Sequence, residues 1–406
     1  MKRMDTAIVL FTSDLRVHDH PALREALRRA RDLVPLFVLD QAILRSWFAT
    51  PNRVGFLVEA LRDLRDNLRS RGADLVVRRG DTAREVGKLV QGVGAEAVFV
   101  SGGVTRTARD REERLAATLG RRSLVVCDGT TIVAPDALKT YKVFTPYWNA
   151  WREAPRRPVE RAPATVRHAT GVDPGEIPDA AVLVDGRPAP EVIPGGETEA
   201  RRRFNSWGRG MLGRYDEIHD DLAADDTSKL GAALHFGCLS AREVEERFID
   251  RPGGEAFVRQ LCWRDFHHQT VRAFPSITTQ DYRPRGRRRW RDDPEALEAW
   301  KAGRTGLPIV DAGMRQLLAT GWMHNRARMI TASFLCRHLG VDWRCGGRHF
   351  MDHLVDGDIA NNYANWQWIA GTGNDTRPNR TFNPVRQAKR FDPSGEYVRR
   401  YLPELT

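Results

Sequence analysis

Asp356-Gly357-Asp358-Ile359-Ala360-Asn361-Asn362-Tyr363-Ala364-Asn365-Trp366-Gln367-Trp368 is the stretch on which the reading of this chain turns. It sets two carboxylates, three asparagines and two indoles side by side with almost no aliphatic residue among them. A segment that only filled a core would carry more Leu, Ile and Val. The pattern expects a large, flat, polar ligand. Two indoles beside such a ligand suggest stacking or electron transfer.

The surrounding sequence has the same character. Eight of the eleven tryptophans lie from Trp207 onward: Trp207, Trp263, Trp290, Trp300, Trp322, Trp343, Trp366 and Trp368. Apolar spacing there predicts helices over 199–208, 241–249, 256–273, 294–300, 308–319, 325–339 and 343–354. Gln260, Trp263, Arg264 and His267 fall at i, i+3, i+4 and i+7 of one helix, and so on one face. An amide, an indole and a guanidinium make a poor core face and a good ligand face. Asn325, Arg328 and Met329 share another helical face, with Arg326 turned aside to meet phosphate. A buried Arg328 needs a carboxylate, which Asp356 or Asp358 can supply. Thr227-Ser228-Lys229-Leu230 precedes the small-residue run that starts at Gly231. Its hydroxyls and backbone N–H groups suit phosphate, although a plain helix N-cap accounts for the same residues more simply. His349 and His353, with Asp352, have metal-like spacing but no third ligand at a fixed position, so no metal is expected. The G-x-S-x-G, H-E-x-x-H and Walker patterns are missing, which removes support for hydrolase and P-loop chemistry.

Upstream, the first 130 residues alternate between short apolar runs and amphipathic segments. Strands are predicted at 8–11, 34–39, 75–77, 97–101 and 124–127, and helices at 21–31, 53–69, 82–90 and 106–119. This alternation implies a doubly wound parallel sheet. The one approximate glycine fingerprint, at 92–97, runs from helix into strand, the wrong order for a dinucleotide turn. It reads as an ordinary turn. Residues 131–196 are rich in Pro, Ala and Arg and read as a linker with one helix near 146–152. The expected organisation is an α/β domain (1–130), a linker (131–196) and an all-helical domain (197–406).

Composition narrows the partners. The net charge is +11, and from Arg201 onward 33 Lys and Arg face 26 Asp and Glu, which favours a polyanion such as nucleic acid. Cys127, Cys238, Cys262, Cys336 and Cys345 form no C-x-x-C pair and read as reduced thiols. No window is long and apolar enough to span a bilayer. Met1-Lys2-Arg3-Met4-Asp5 leads into a strand and not an apolar leader, so the expected location is the cytoplasm.

With these segments in place, the chain resembles the DNA photolyase/cryptochrome family along almost its whole length. The motifs that carry the resemblance are Ser13-Asp14-Leu15-Arg16-Val17-His18-Asp19-His20-Pro21-Ala22-Leu23, Tyr141-Lys142-Val143-Phe144-Thr145-Pro146-Tyr147, and Trp322-Met323-His324-Asn325-Arg326-Ala327-Arg328-Met329. The segment from Asp356 to Gly373 also matches, as do Phe382-Asn383-Pro384, Gln387 and Tyr401-Leu402-Pro403-Glu404-Leu405. It is most similar to class I cyclobutane-dimer photolyases of the deazaflavin type.

The resemblance implies a folded FAD in the helical domain. Tyr215, Thr227, Ser228, Lys229, Leu230 and Gly231 match its phosphate and ribose side, Gly231 standing where many members have serine. Phe257, Gln260, Arg264, Asn325, Arg328, Asp356, Gly357 and Asp358 match the pocket lining. Asn362 matches the residue beside flavin N5, where asparagine suits a reduced flavin. Trp366, Trp343 and Trp290 match the family's electron chain from flavin to surface. Trp263 and Trp368 match the rings that hold a flipped dimer. Gln260, Asn325, Arg326, Met329, Gln387 and Arg390 match DNA contacts. Two departures stand out: Gln260 replaces a glutamate that bonds the dimer, and His219 replaces an arginine.

The implied reaction is light-driven repair. An electron from photoexcited reduced FAD splits a cyclobutane pyrimidine dimer in UV-damaged DNA and then returns. The implied catalytic residues are Asn362, Gln260, Met329, Trp366, Trp343 and Trp290. The alternatives are a cryptochrome-like photoreceptor without repair and repair of (6-4) photoproducts. Met329 and Asn325 disfavour the latter, since those enzymes typically carry histidine at both positions. A second chromophore is implied, with 8-hydroxydeazaflavin preferred to methenyltetrahydrofolate. Thr105 and Arg106 replace the folate-type pair, and Leu39, Asp40 and Arg53 lie in deazaflavin-like segments. The protein is expected to be a monomer.

Overall fold

The computed structural model describes residues 3–284, 289–374 and 380–405; Met1 and Lys2, from the N-terminal reading, lie outside them. Five strands form one parallel sheet: β1 (Met4–Phe11), β2 (Ala30–Asp40), β3 (Val76–Gly80), β4 (Ala97–Ser101) and β5 (Ser123–Cys127). Their order is β3-β2-β1-β4-β5. Central β1 pairs with β2 (Ala7 opposite Leu33) and with β4 (Ala7 opposite Ala97). Ile8, Val9 and Leu10 are all buried, as a sheet covered by helices on both faces requires. Strand order reverses between β1 and β4. In such sheets this opens a crevice beyond the carboxyl ends.

The helices of this domain fall close to expectation: Pro21–Arg29, Pro51–Arg69, Thr82–Val93 and Arg106–Leu119. Gly94 ends the third of these with φ +66°, so the approximate glycine fingerprint is a helix terminus. β2 begins earlier than predicted because Ala30 already pairs with Met4, which stops the first helix at Arg29.

The stretch read as linker is fastened to the sheet. Leu33 N–H donates to Arg167 O (2.8 Å), Ala169 N–H to Leu33 O (3.1 Å) and Val77 N–H to Pro174 O (2.7 Å). The Val77 bond occupies the outer edge of β3, and the two Leu33 bonds run along β2 before β3 joins it at Leu36. The stretch also holds a helix over Phe144–Glu153 and one turn over Ala180–Leu183.

Helices then dominate, the longest being Gly254–Ala273. Two differences from the predicted pattern matter to the site. The predicted helix 325–339 is α-helical only over Asn325–Ser333 and widens to a π-helix over Phe334–Leu339. The opening stretch is itself a helix, Ile359–Ala370, which the sequence reading did not assign. Asp358 caps it by accepting Asn361 N–H (2.7 Å), and Gly371 (φ +75°) ends it. Short helices at Pro384–Phe391 and Glu396–Tyr401 were also unassigned.

Side chains lock the two halves together. Arg16, 2% exposed, donates to Gly237 O (2.9 Å), Asp19 O (2.8 Å) and Gly129 O (3.2 Å). Buried Asp265 accepts Ile132 N–H (2.9 Å), Val133 N–H (3.0 Å) and Trp151 Nε1–H (3.0 Å), which pins the connector to the longest helix.

Candidate active site

A cavity of about 360 Å³ opens in the helical half, within the size range of ligand sites. Four helices line it. Gly254–Ala273 contributes Gln260, Trp263, Arg264 and His267, the face predicted from spacing. Asn325–Ser333 contributes Asn325, Arg328 and Met329. Trp343–His353 contributes Phe350. Ile359–Ala370 contributes Asn361, Asn362, Asn365, Trp366 and Trp368, with Asp356 just ahead of it. The predicted pocket residues from three separate sequence segments thus meet in one place.

Polar groups in the cavity are held by specific bonds. Arg328 Nη2 donates to Asp356 Oδ2 (2.9 Å) and Oδ1 (3.1 Å), so Asp356 is the partner, while Nε donates to Met323 O (2.8 Å). Asp358 instead lies between His235 (3.6 Å) and His268 (3.5 Å). Burial opposes its charge, but His268 and His235 outweigh that and hold the carboxyl well below its ordinary range. Neither histidine was singled out from sequence; adjacent His267 and His268 on one helix were the available signal. Asn362 Nδ2 donates to Gly347 O (2.9 Å), which turns its Oδ1 acceptor to the other side.

The aromatic residues divide by depth. Trp366 is buried and meets Phe350 (4.9 Å) and Trp300 (6.0 Å) edge-on. Trp343 is fully buried, and its Nε1–H donates to Asp281 Oδ1 (3.0 Å). Trp290, half-buried, stands beside Arg291, which bridges to Val341 just ahead of Trp343. At the cavity wall Trp263 stacks flat on Phe144, with ring centroids 3.6 Å apart. Half-buried Trp368 carries the Arg380 guanidinium 5.0 Å from its ring. Gln260 and Asn325 are exposed at the mouth, and Met329 lies beside Asn325.

The remaining predicted residues lie around this centre. Tyr215 and Phe257 pack edge-on at 5.2 Å. Buried Leu230 precedes the helix Gly231–His235 and offers no side-chain cap, so Thr227 and Ser228 are not its N-cap. Thr227 Oγ1 is buried with no hydrogen-bond partner among the described residues. Lys229 has left-handed backbone (φ +49°) and pairs with Asp225 (2.5 Å). Gly231 abuts Asp356; a Cβ there would lie 2.6 Å from Asp356 Oδ2, which excludes any larger residue without moving the carboxylate. Gly357 similarly faces Arg53, with 2.7 Å from an added Cβ to Nη1.

Two of the predicted site arginines are held by groups of the protein itself. Arg326 does not stand free for phosphate: its Nε and Nη2 grip Asp220 (3.0 and 2.5 Å), and its guanidinium lies 4.3 Å from the Phe391 ring. Exposed Arg390 flanks the same ring at 5.0 Å, and Gln387 is one turn away with a buried Oε1 that has no partner among the described residues. Arg53, placed with the antenna segment, is 2% exposed and turned toward the helical half. It donates to Phe48 O (2.9 Å), Leu354 O (2.8 Å) and Met351 O. Leu39 is buried in β2, and Asp40 at its end accepts from Thr82 Oγ1 (2.6 Å).

These residues fit a flavin dinucleotide. The cavity offers flat aromatic walls and amides, an unpartnered hydroxyl stands at Thr227, and Arg328 is already neutralised by Asp356. Comparison with known proteins agrees. Residues 7–165 match the family model for DNA photolyase, and residues 257–406 match that for the FAD binding domain of DNA photolyase. Deoxyribodipyrimidine photo-lyase of Streptomyces griseus is 50% identical over 413 residues, covering 99% of this chain and 90% of that protein. Cryptochrome DASH of Gloeobacter violaceus is 37% identical, covering 98% of this chain and 86% of that protein. The crystal structure of a bacterial class III photolyase from Agrobacterium tumefaciens superposes with a TM-score of 0.91 at 32% identity, covering 100% of this chain and 88% of that one. An archaeal photolyase from Sulfolobus tokodaii, described with two FAD molecules, gives 0.88 at 29% identity, covering 98% and 90%. A parallel α/β layer joined to a helical cofactor domain defines the class. The chain belongs to the DNA photolyase/cryptochrome family, and its C-terminal part is that family's FAD-binding domain.

Proposed function

We propose that this protein is a light-driven DNA repair lyase that splits cyclobutane pyrimidine dimers. The observation that carries this reading is one shared cavity. It joins Trp263, Trp368, Gln260, Asn325 and Met329 with Arg328, Asp356, Asn362 and Trp366. Bound there, reduced FAD supplies a photoexcited one-electron donor.

The chain's own residues do the rest. Trp263, backed by Phe144, offers a rigid stacking face for a flipped dimer, and Trp368 offers a second. Gln260 and Asn325 supply amide donors and acceptors to the base edges. The asymmetry at Asn362 matters: one N–H of its amide goes to Gly347 O, and Oδ1 would be free to accept a ring N–H of the bound cofactor. Trp366, Trp343 and Trp290 supply oxidisable rings leading outward. Arg326, Gln387 and Arg390, around Phe391, form the phosphate-contact set, with Arg326 exchanging Asp220 for DNA.

The test uses reduced enzyme with dimer-containing DNA under blue light. Light-dependent loss of dimers is expected; dimers that persist would refute the reading. A light-sensing role without repair is the second reading, since curated relatives at 37% identity are named cryptochrome DASH. It predicts flavin photoreduction with no loss of dimers.

The antenna chromophore is proposed to be 8-hydroxydeazaflavin, held at the carboxyl end of the sheet near Leu39 and Asp40. An absorption spectrum of the purified protein tests this, because folate, deazaflavin and a second flavin absorb differently. The class I assignment, a monomeric state and a cytoplasmic location complete the proposal.

A further inference from the structure

His267 is not among the residues assigned above, yet it reaches the cavity through a chain of fixed bonds. Asp358 starts the chain. Its Oδ1 accepts both the backbone N–H of Asn361 (2.7 Å) and Asn361 Nδ2 (2.8 Å). A charged carboxylate can only accept, so Nδ2 must face Asp358 and Asn361 Oδ1 must face away. That oxygen lies 3.1 Å from His267 Nδ1. An amide oxygen also can only accept, so Nδ1 carries the proton. Burial pushes the His267 imidazole down to about 4, with His268 adding to that and the Asn361 bond opposing it, so the ring is neutral at pH 7. A neutral ring protonated at Nδ1 has a bare Nε2.

His267 lines the cavity beside Trp263, whose ring centroid is 5.6 Å away. Among the described residues no protein group bonds its Nε2. The residue as a whole is 5% exposed and lies in the cavity wall. A bare acceptor in a cavity wall bonds water in the free protein and is available to a ligand that displaces that water.

We propose that His267 Nε2 is a fixed acceptor for an imide N–H, the CO–NH–CO edge that a thymine-containing lesion and the flavin ring both present. Asp358 and Asn361 act as positioning residues that set its tautomer. Cytosine lacks this N–H and offers a bare ring nitrogen instead, so an acceptor here opposes it. If the imide belongs to the lesion, His267 discriminates thymine from cytosine and complements the amide of Gln260 on the same helix face. The inference rests on the reading of the cavity as a flavin and lesion site.

Methylation of the imide nitrogen separates the sources. In one arm, holoenzyme in the dark is titrated with oligonucleotides carrying a thymine dimer with or without N3-methyl groups. In the other, apoprotein is titrated with FAD or 3-methyl-FAD. Wild type should lose about tenfold in affinity for the methylated ligand in one arm. His267→Leu should bring that ratio close to one, while His267→Gln, which keeps an acceptor, should retain most of it. Equal ratios for wild type and His267→Leu in both arms would overturn the proposal. Should His267→Leu not fold, ¹⁵N-histidine spectra of the wild type decide: a proton on Nε2 of His267 in the free protein overturns it. Failure of wild type to bind either FAD or dimer DNA would instead refute the cavity reading beneath it.

Discussion

Removing the charge of Asp356 should destabilise the helical half through Arg328. Asp356 is 10% exposed and Arg328 24% exposed, and one Nη2 reaches both carboxylate oxygens. Stranding a fully buried guanidinium costs about 3–5 kcal/mol. Here the guanidinium is partly solvated and keeps its bond from Nε to Met323 O, so the loss for Asp356→Asn should be about 2–3 kcal/mol. For 406 residues melting as one unit, the unfolding entropy is about 0.85 kcal/mol/K, which converts this loss to a Tm decrease of about 3 °C. The decisive assay is a double-mutant cycle with Arg328→Gln, read by thermal melting. Once Arg328 is gone, Asp356→Asn should cost little, giving a coupling of about 2–3 kcal/mol. Gly231→Ala adds a further check, since its Cβ would stand 2.6 Å from Asp356 Oδ2. It should push the carboxylate off Arg328 and therefore be non-additive with Asp356→Asn. A coupling below about 0.3 kcal/mol, within the scatter of independent sites, would refute the pairing as the source of stability.

Trp343→Phe should slow flavin photoreduction under blue light by at least tenfold, while dark binding of dimer DNA stays within about twofold, as gel-shift titration would show. Asp220→Asn should release Arg326 for phosphate. DNA binding should then tighten, and the slope of log K against log salt should steepen by about one. Stability should fall as pH drops from about 7 to 4. Burial pulls His267 and His324 down to about 4 and His349 to about 3, below the ordinary 6.5 of an unfolded chain. The unfolded state therefore binds these protons first, and the contribution is complete above pH 6.5 and lost below it. Each group removes about 2 kcal/mol by pH 5. A flat Tm between pH 7 and pH 5 would contradict this.

What the sequence made legible depends on how far apart the interacting groups stand along the chain. The strands announced themselves through continuous apolar runs such as Ile8-Val9-Leu10, because a parallel sheet buried on both faces leaves no polar position. The face of Gln260, Trp263, Arg264 and His267 was legible because helical period alone brings it together. The pairing of Arg328 with Asp356 was half legible: burial demanded a carboxylate, but two stood equally near in sequence. What decided between them lies elsewhere, for His235 and His268 take Asp358. The helix Ile359–Ala370 went unassigned because its buried face is built from Ala360, Tyr363, Ala364, Trp366 and Gln367, which show little contrast with the asparagines opposite. The protein partners of Arg326 and Arg53 were not legible for one shared reason. An arginine's role is set by where its donors end, and Asp220 is 106 positions from Arg326, while the Met351 and Leu354 carbonyls are 298 and 301 positions from Arg53. A backbone carbonyl carries no residue identity at all, so no reading of side chains could have placed Arg53 between the two halves. The same consideration limits what the sequence says of His267, which helical spacing already placed on the ligand-facing stripe. The tautomer proposed for it rests on Asn361, 94 positions away, and the direction of that one amide leaves no trace in the sequence around His267.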